Sequence, residues 1–227
     1  MNSVDPTARQ NMDMPTQSEL AKLFGVRYFD ESETAIVEAR DSDLYWYKSF
    51  VGQHTVDIEK GDCVYWLSDD RKTANLTRGP AQIKSKHIAT IIRGYMPENK
   101  TSGVETSTIL PYVNGCSSKQ IFPPDRLGDP TLQMLNLPPY TAEQVHHIHS
   151  TVRVVHVLKG RGWSVVGMDK LTIREELYPG KSLILDPMCP HHFETLDEPL
   201  LVMPLHVFSS VPGIEKNHPM FNGTHEI

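Results

Sequence analysis

Two histidines separated by one residue, His147 and His149, are the residues of this chain best suited to chemistry. The stretch around them is rich in β-branched residues, which favours a strand, and side chains two apart on a strand point to the same face. One strand could therefore present two imidazoles to a single metal ion. Histidine is the commonest neutral metal ligand, and three imidazoles suit zinc, iron, copper or nickel.

A third imidazole could come from the adjacent pair His191 and His192, which follows a proline-rich turn. Neighbouring residues on a strand face opposite ways, so at most one of the two can join the first pair. His146 has the wrong parity and is expected to face solvent or an opposing sheet. Tyr140 and His206 could line the same space, although both residue types are more often packed than functional.

The elements that must position these histidines are short strands preceded by one helix. Residues 1–15 show no periodicity and are expected to form a loose tail. Thr16 and Glu19 have the spacing of a capping box, and Gly25 is a natural stop. Together they predict a short helix over 15–25. Strand-like runs follow at 44–51, 55–58, 63–67, 83–95, 106–113, 131–137, 145–158, 163–168, 171–177, 182–185 and 200–208. Short, regularly spaced strands are typical of an antiparallel sandwich or barrel.

Composition limits the classes of partner. The 227 residues carry a formal net charge of −6 and show no basic footprint for nucleic acid. No apolar run is long enough to span a bilayer, and the N-terminus lacks the apolar stretch of a secretory signal. Three sparse cysteines, Cys63, Cys116 and Cys189, fit a reduced cytoplasmic compartment. We therefore expect a cytoplasmic protein that binds a small molecule, with neither nucleic acid nor membrane as partner.

The segment 140–193 resembles the two sequence motifs of the cupin superfamily. In the first motif a His-x-His is followed by a glutamate and then by a hairpin glycine. Here His147, His149, Arg153 and Gly160 fall at those positions. The chain thus departs from the family pattern at Arg153, because a guanidinium has no acceptor and cannot bind a cation.

The second cupin motif runs from a glycine through a short apolar strand and a proline to a histidine. Gly180, Pro187 and His191 match it, and Phe193 follows. The family's usual Pro-His-x-Phe ending favours His191 over its neighbour as the third ligand. The resemblance implies an all-β, cupin-type double-stranded β-helix (a jelly-roll barrel). It would hold one divalent transition metal on three histidines, with Fe(II) favoured and Zn, Ni or Mn possible.

Arg153 leaves two interpretations open. It could line the pocket and bind a carboxylate or another anion in bidentate fashion, or it could turn away into a structural ion pair. We favour the pocket role. A site of three neutral histidines without a carboxylate resembles that of cupin dioxygenases, and it predicts an oxygenase for a small anionic or chelating substrate. A non-oxidative Zn, Ni or Mn isomerase or lyase and a non-catalytic small-molecule-binding cupin are the alternatives.

The chain is accordingly divided into a tail (1–15), an N-terminal helix with a β-rich extension (16–130), a cupin barrel with the metal site (131–210) and a C-terminal tail (211–227). The extension would pack on the barrel or complete it. A degenerate second copy of the barrel is the alternative, since Gly61-Asp-Cys-Val-Tyr-Trp loosely echoes Gly180-Lys-Ser-Leu-Ile-Leu. The resemblance also implies a homodimer that pairs through edge strands.

Overall fold

The computed structural model describes residues 14–41, 43, 45–104, 108–126, 128–208 and 224–226. Helix α1 spans Gln17–Phe24, as the sequence predicts. The Thr16 hydroxyl accepts the backbone N–H of Glu19, and the Glu19 carboxylate accepts the backbone N–H of Thr16. Gly25 ends the helix in the left-handed region at φ 74°, which a side chain would disfavour.

Antiparallel strands make up most of the described chain. The first nine are β1 (Val26–Phe29), β2 (Ala35–Glu38), β3 (Tyr47–Val51), β4 (His54–Ile58), β5 (Asp62–Leu67), β6 (Thr73–Arg78), β7 (Ala81–Ser85), β8 (Ile88–Arg93) and β9 (Lys100–Gly103). The others are β10 (Leu110–Pro111), β11 (Ser117–Phe122), β12 (Thr131–Leu137), β13 (His147–His149), β14 (Arg153–Gly160), β15 (Gly162–Met168), β16 (Leu171–Leu177), β17 (Ser182–Leu185), β18 (His191–Glu194), β19 (Leu200–His206) and β20 (Thr224–Glu226).

Two sheets enclose the predicted site. A seven-stranded sheet has the order β1-β17-β14-β19-β12-β11-β10, and a five-stranded sheet has the order β16-β15-β18-β13-β20. Strands β1, β10 and β11, from the first part of the chain, complete the seven-stranded sheet. The prediction of an all-β jelly-roll barrel preceded by a helix is confirmed.

The remaining strands form a six-stranded sheet, β2-β3-β8-β5-β6-β9, and the two-stranded sheet β4-β7. Their order repeats that of the other two sheets. The series β2-β3-β8-β5-β6-β9 corresponds to β11-β12-β19-β14-β17-β1, and β4-β7 corresponds to β13-β18. The repeat has no counterpart of the β15–β16 hairpin among the described residues. The two halves thus share an order of strands, except that β9 follows its neighbours in the chain whereas β1 precedes them. The division of the chain into an extension and a barrel, or into two copies, stays a prediction.

Alternating side chains sort into three buried cores between these sheets. On β12, Leu132 and Met134 pack between the six- and seven-stranded sheets, whereas Leu135 and Leu137 face the interior of the barrel. A third core fills the space between the six-stranded sheet and the β4-β7 pair. The interior that holds Leu135 is the one into which the histidines point.

Several local predictions fail. The run 83–95 is two strands, β7 and β8, and the described residues of 106–113 contain only the two-residue strand β10. The run 145–158 is not one strand, because residues 150–152 turn the chain from the five-stranded sheet (β13) to the seven-stranded sheet (β14). The last described residues, which fall in the predicted C-terminal tail, form β20 and pair with β13. Residues 1–13, most of the predicted N-terminal tail, lie outside the described residues, and so do 209–223.

Candidate metal centre

Three histidines converge inside the barrel. His147 and His149 extend from β13, and His191 lies on β18 directly opposite His147. The ring centroids are 4.8 Å apart for His147 and His149, 4.5 Å for His147 and His191, and 5.2 Å for His149 and His191. All three side chains are buried, and one ligand nitrogen from each lies within 4.8 Å of the others. These three histidines could hold a metal ion.

Backbone carbonyls fix the orientation of two of the rings. The Nδ1–H of His147 donates to the Val145 carbonyl at 2.9 Å, and that of His191 donates to the Cys189 carbonyl at 2.8 Å. Each bond leaves Nε2 as the nitrogen with a free lone pair, which is the usual arrangement of a metal-bound histidine.

The spacing of one pair of ligand atoms fits a metal ion. The Nε2 atoms of His147 and His149 are 3.2 Å apart. Two nitrogens bound at about 2.1 Å would lie about 3.0 Å apart at an octahedral angle and about 3.4 Å apart at a tetrahedral one. The observed separation lies between these values.

Burial also favours the neutral form that binds metal. Desolvation lowers the pKa of His147 to about 4 and holds the pKa values of His149 and His191 well below their usual range. The positive charge of Arg153 acts in the same direction on all three rings. Neutral imidazoles therefore face the centre at neutral pH, and no proton has to leave before an ion binds.

His192 lies on the opposite face of β18, as strand parity predicts. Its Nδ1 shares a 2.8 Å hydrogen bond with Nδ1 of His146, and its Nε2 lies 3.7 Å from Glu194. His146 in turn bonds the Gly167 carbonyl. The structure therefore brings His191, and neither His192 nor His146, into the cluster.

Arg153 enters the same space from the seven-stranded sheet, with 2% of its surface exposed. The predicted strand 145–158 contains Arg153 and the two histidines, whereas in the structure they face a common interior from opposite sheets. Its Nη1 donates to the Thr151 and Val152 carbonyls at 3.2 and 3.4 Å and to the Thr151 hydroxyl. Its Nε and Nη2 have no partner among the described residues. These two atoms form one complete edge of the guanidinium, the edge that binds a carboxylate in bidentate fashion.

Glu143 is a member of the site that sequence reasoning missed. Its buried carboxylate Oε1 lies 3.8 Å from Nε2 of His147. Desolvation raises its pKa to about 8, against a hydrogen bond from the Phe193 backbone that lowers it. The only signal in the sequence is a glutamate four residues before the His-x-His, in an irregular segment where no motif applies.

Other side chains complete the lining of the cavity, which includes Tyr112, Gln144, Phe193 and His206. The Tyr112 hydroxyl donates to Gln144 Oε1 at 3.3 Å. His206, which the sequence offered as a possible lining residue, does line the cavity. Tyr140 does not, since 78% of its surface is exposed.

Cys189 contributes its backbone carbonyl to the site, as the acceptor for His191. Its side chain packs in the barrel core, where desolvation raises the pKa of the thiol to about 12. A thiol in this environment stays protonated at neutral pH and is a poor nucleophile and metal ligand.

No protein-family model matches the chain, and no curated protein sequence matches it. Solved structures do resemble it. A putative glyoxylate-induced protein from Pseudomonas aeruginosa is 10% identical with a TM-score of 0.56, over 85% of this chain and 92% of that one. A cupin 2 conserved barrel domain protein from Leptotrichia buccalis is 15% identical with a TM-score of 0.44, over 78% and 90%. The oxalate decarboxylase of Bacillus subtilis, which has Mn(II) centres, is 10% identical with a TM-score of 0.44, over 82% and 78%.

The chain shares its fold with the first of these proteins. At these identities the similarity concerns the fold alone, so the activities of the similar proteins do not transfer to this chain. Within the part of the chain that the structure describes, no helix is long and apolar enough to cross a membrane.

Proposed function

We propose that the barrel is a metal-dependent enzyme for a small anionic substrate, with one divalent transition metal held on Nε2 of His147, His149 and His191. The observation that supports this most is the convergence, in one cavity, of three buried, neutral imidazoles and a guanidinium edge that has no partner among the described residues. Three protein ligands leave open coordination positions, which is typical of catalytic centres. When bound, the metal would supply a Lewis acid and sites for substrate and dioxygen.

Residues of the chain would position the substrate and the metal ligands. Arg153 would bind the carboxylate of the substrate through Nε and Nη2, and its fixed Nη1 bonds would keep that edge pointing into the cavity. Backbone carbonyls hold the His147 and His191 rings, so the centre is formed before the substrate arrives. Apolar side chains such as Leu135 and Val155 also line the cavity, and a surrounding of low dielectric constant would strengthen each electrostatic contact.

Oxygenation is the reaction we propose first, with Fe(II) as the metal. Its basis is the ligand set, because neutral histidines leave the full charge of the ion available to an anionic, chelating substrate. The test is metal analysis of the purified protein together with oxygen uptake on a panel of small acids. A metal-free protein that is fully folded and unaffected by chelators would refute the proposal.

Glu143 favours a second candidate, a non-oxidative isomerase or lyase using Zn, Ni or Mn. A buried carboxyl group beside the centre could take a proton from a substrate or return one, which oxygenation does not require. Turnover under nitrogen, retained when zinc replaces iron and lost in Glu143→Gln, would identify this reaction. Oxygen consumption coupled one to one with substrate loss would exclude it.

A non-catalytic binding protein is distinguished by the absence of turnover. Thermal-shift screening would find its ligands, and each ligand found would be recovered unchanged after incubation with the metal-loaded protein. We further propose a homodimer formed through edge strands; small-angle scattering that reports a monomer would refute it.

A further inference from the structure

Unpartnered polar atoms concentrate on one wall of the barrel. Folded proteins leave few buried polar atoms without a hydrogen bond, so a cluster of them indicates water or a ligand. Within the described ranges, most of the buried side-chain nitrogen and oxygen atoms that lack a partner belong to Gln120, Gln133, Arg153 and His206. We call these four side chains the polar wall.

The polar wall is continuous across neighbouring strands of the seven-stranded sheet. Arg153 on β14 pairs in register with His206 on β19, and Gln120 on β11 pairs with Gln133 on β12. Strands β19 and β12 are adjacent, so the wall runs over β14, β19, β12 and β11 without interruption.

Strand alternation directs Gln133 into the barrel. Leu132 and Met134, on either side of it, pack between the two large sheets, whereas Leu135 packs in the barrel core and lines the cavity. Gln133 shares the face of Leu135. It is almost fully buried, and both its Nε2 and its Oε1 lack partners among the described residues. The side chain therefore offers one donor and one acceptor.

His206 lies on β19, between the strands that carry Arg153 and Gln133. It lines the cavity, its ring centroid lies 6.0 Å from that of His149, and its Nδ1 is buried with no partner in the described chain. A ligand held by the guanidinium edge of Arg153 would therefore meet His206, and one that extends past the lining along β12 would reach Gln133, two positions from the lining residue Leu135.

We propose that His206 and Gln133 form a second polar subsite beside Arg153, which makes the substrate a small carboxylate with a second hydrogen-bonding group, best matched by a carboxamide. The inference rests on the proposed function, because Arg153 is taken as the carboxylate partner. A carboxamide both donates and accepts, which matches the free atoms of Gln133. An acid with an apolar end would leave those atoms unpaired and should bind at least about 10-fold more weakly.

The test compares two acids of the same shape on the zinc-loaded, full-length protein by isothermal titration calorimetry. Succinamate carries a carboxamide where 4-methylpentanoate carries two methyl groups. We expect succinamate to bind at least about 10-fold more tightly. Equal affinities, or a preference for 4-methylpentanoate, would overturn the inference without any variant being made.

Variants then assign the preference to residues. Gln133→Leu and His206→Phe should weaken succinamate binding about 10-fold, leave 4-methylpentanoate nearly unchanged and preserve the zinc content. His156→Phe is the matched control, since His156 is equally buried but lies on the other face of β14, with Nδ1 bonded to Ser182. His156→Phe should keep the preference for succinamate over 4-methylpentanoate. An unchanged preference in both wall variants would overturn the inference.

Failure of the proposed function gives a different result. If Arg153→Met binds both acids as tightly as the unmodified protein does, the carboxylate site is wrong, whatever the preference between the acids. If Arg153→Met loses both acids while the unmodified protein shows no preference, the carboxylate site stands and only the second subsite is overturned.

Discussion

Replacing Arg153 with methionine should stabilise the metal-free protein while abolishing its response to carboxylates. The guanidinium is buried, and no carboxylate of the described residues lies within ion-pair distance of it. Desolvation lowers its pKa to about 9, slightly opposed by Tyr112. One pKa unit corresponds to about 1.4 kcal/mol, so burial destabilises the charged form by about 5 kcal/mol relative to the unfolded chain.

Hydrogen bonds offset part of the destabilisation that burial of the Arg153 charge causes. Nη1 bonds two carbonyls and the Thr151 hydroxyl, each contributing about 1 kcal/mol, which leaves a net destabilisation of about 2 kcal/mol. Methionine has a similar length and no charge. The destabilisation is complete at neutral pH because Arg153 is protonated in both the folded and the unfolded protein. It diminishes above pH 9, where the folded protein releases its proton before the unfolded chain does.

Urea denaturation of the metal-free protein at pH 7 measures the difference. We expect the free energy of unfolding to rise by about 2 kcal/mol in Arg153→Met. Arg126→Met is the control, because Arg126 is exposed and pairs with Asp129 at 2.9 Å, an ion pair worth less than about 1 kcal/mol. In parallel, added succinate should raise the melting temperature of the unmodified protein and not that of Arg153→Met.

A loss of stability greater than about 2 kcal/mol in Arg153→Met, with the succinate response retained, would refute the reasoning. That result is expected of an arginine in a structural ion pair, the alternative that the sequence leaves open. A gain in stability with loss of the response would establish Arg153 as a residue kept for binding at the expense of stability.

Three further results are expected. His191→Ala should lose metal in equilibrium dialysis at least about 10-fold more readily than the neighbouring His192→Ala, and equal losses would place the third ligand elsewhere. Burial lowers the pKa of His156 to about 3, so the unfolded chain binds a proton first as pH falls below about 6.5, and unfolding free energy should decrease from there toward pH 4. His156→Phe should make that decrease less steep in denaturation curves, because His156 is one of several buried histidines with lowered pKa values, whereas Ser182→Ala, which removes only a hydrogen bond, should not. Gly160→Ala should destabilise the protein by about 3 kcal/mol or more in the same assay, because the glycine has φ 79° and an added Cβ would lie 1.8 Å from a backbone carbonyl oxygen.

Local patterns predicted the parts of this fold that local chemistry determines. The capping box at Thr16 and the stop at Gly25 bound α1 because the bonds that cap a helix join residues close in sequence. Strand parity separated His191 from His192 because neighbouring strand residues face opposite sides in any sheet.

The same patterns could not show where a strand changes sheets. The alternation continues from His149 to Arg153, yet the chain turns between them, and this turn depends on pairing with distant strands such as β18 and β19. Strand β1 was missed for a related reason. Four residues carry little periodicity, and β1 is held by its pairing with β17, more than 150 positions away.

Glu143 was beyond prediction because its position depends on a non-local contact. Its backbone N–H donates to the Phe193 carbonyl at 2.9 Å, which draws an irregular segment against β18 and brings the carboxylate to His147. Spacing rules apply within strands and motifs, and this residue belongs to neither.

The positions of Arg153 and Glu143 together define the electrostatics of the centre. The cupin motif places a glutamate where this chain has Arg153 on β14, whereas here a carboxylate approaches from before β13, in contact with His147. A divalent ion on three neutral imidazoles would sit between that carboxylate and an uncompensated guanidinium. Even with Glu143 ionised, the pocket would keep an excess of two positive charges, which a substrate carboxylate bridging metal and Arg153 would reduce. On the function proposed above, an arginine in place of the glutamate would shift charge neutralisation from the protein to its ligand and would favour anionic substrates over neutral ones.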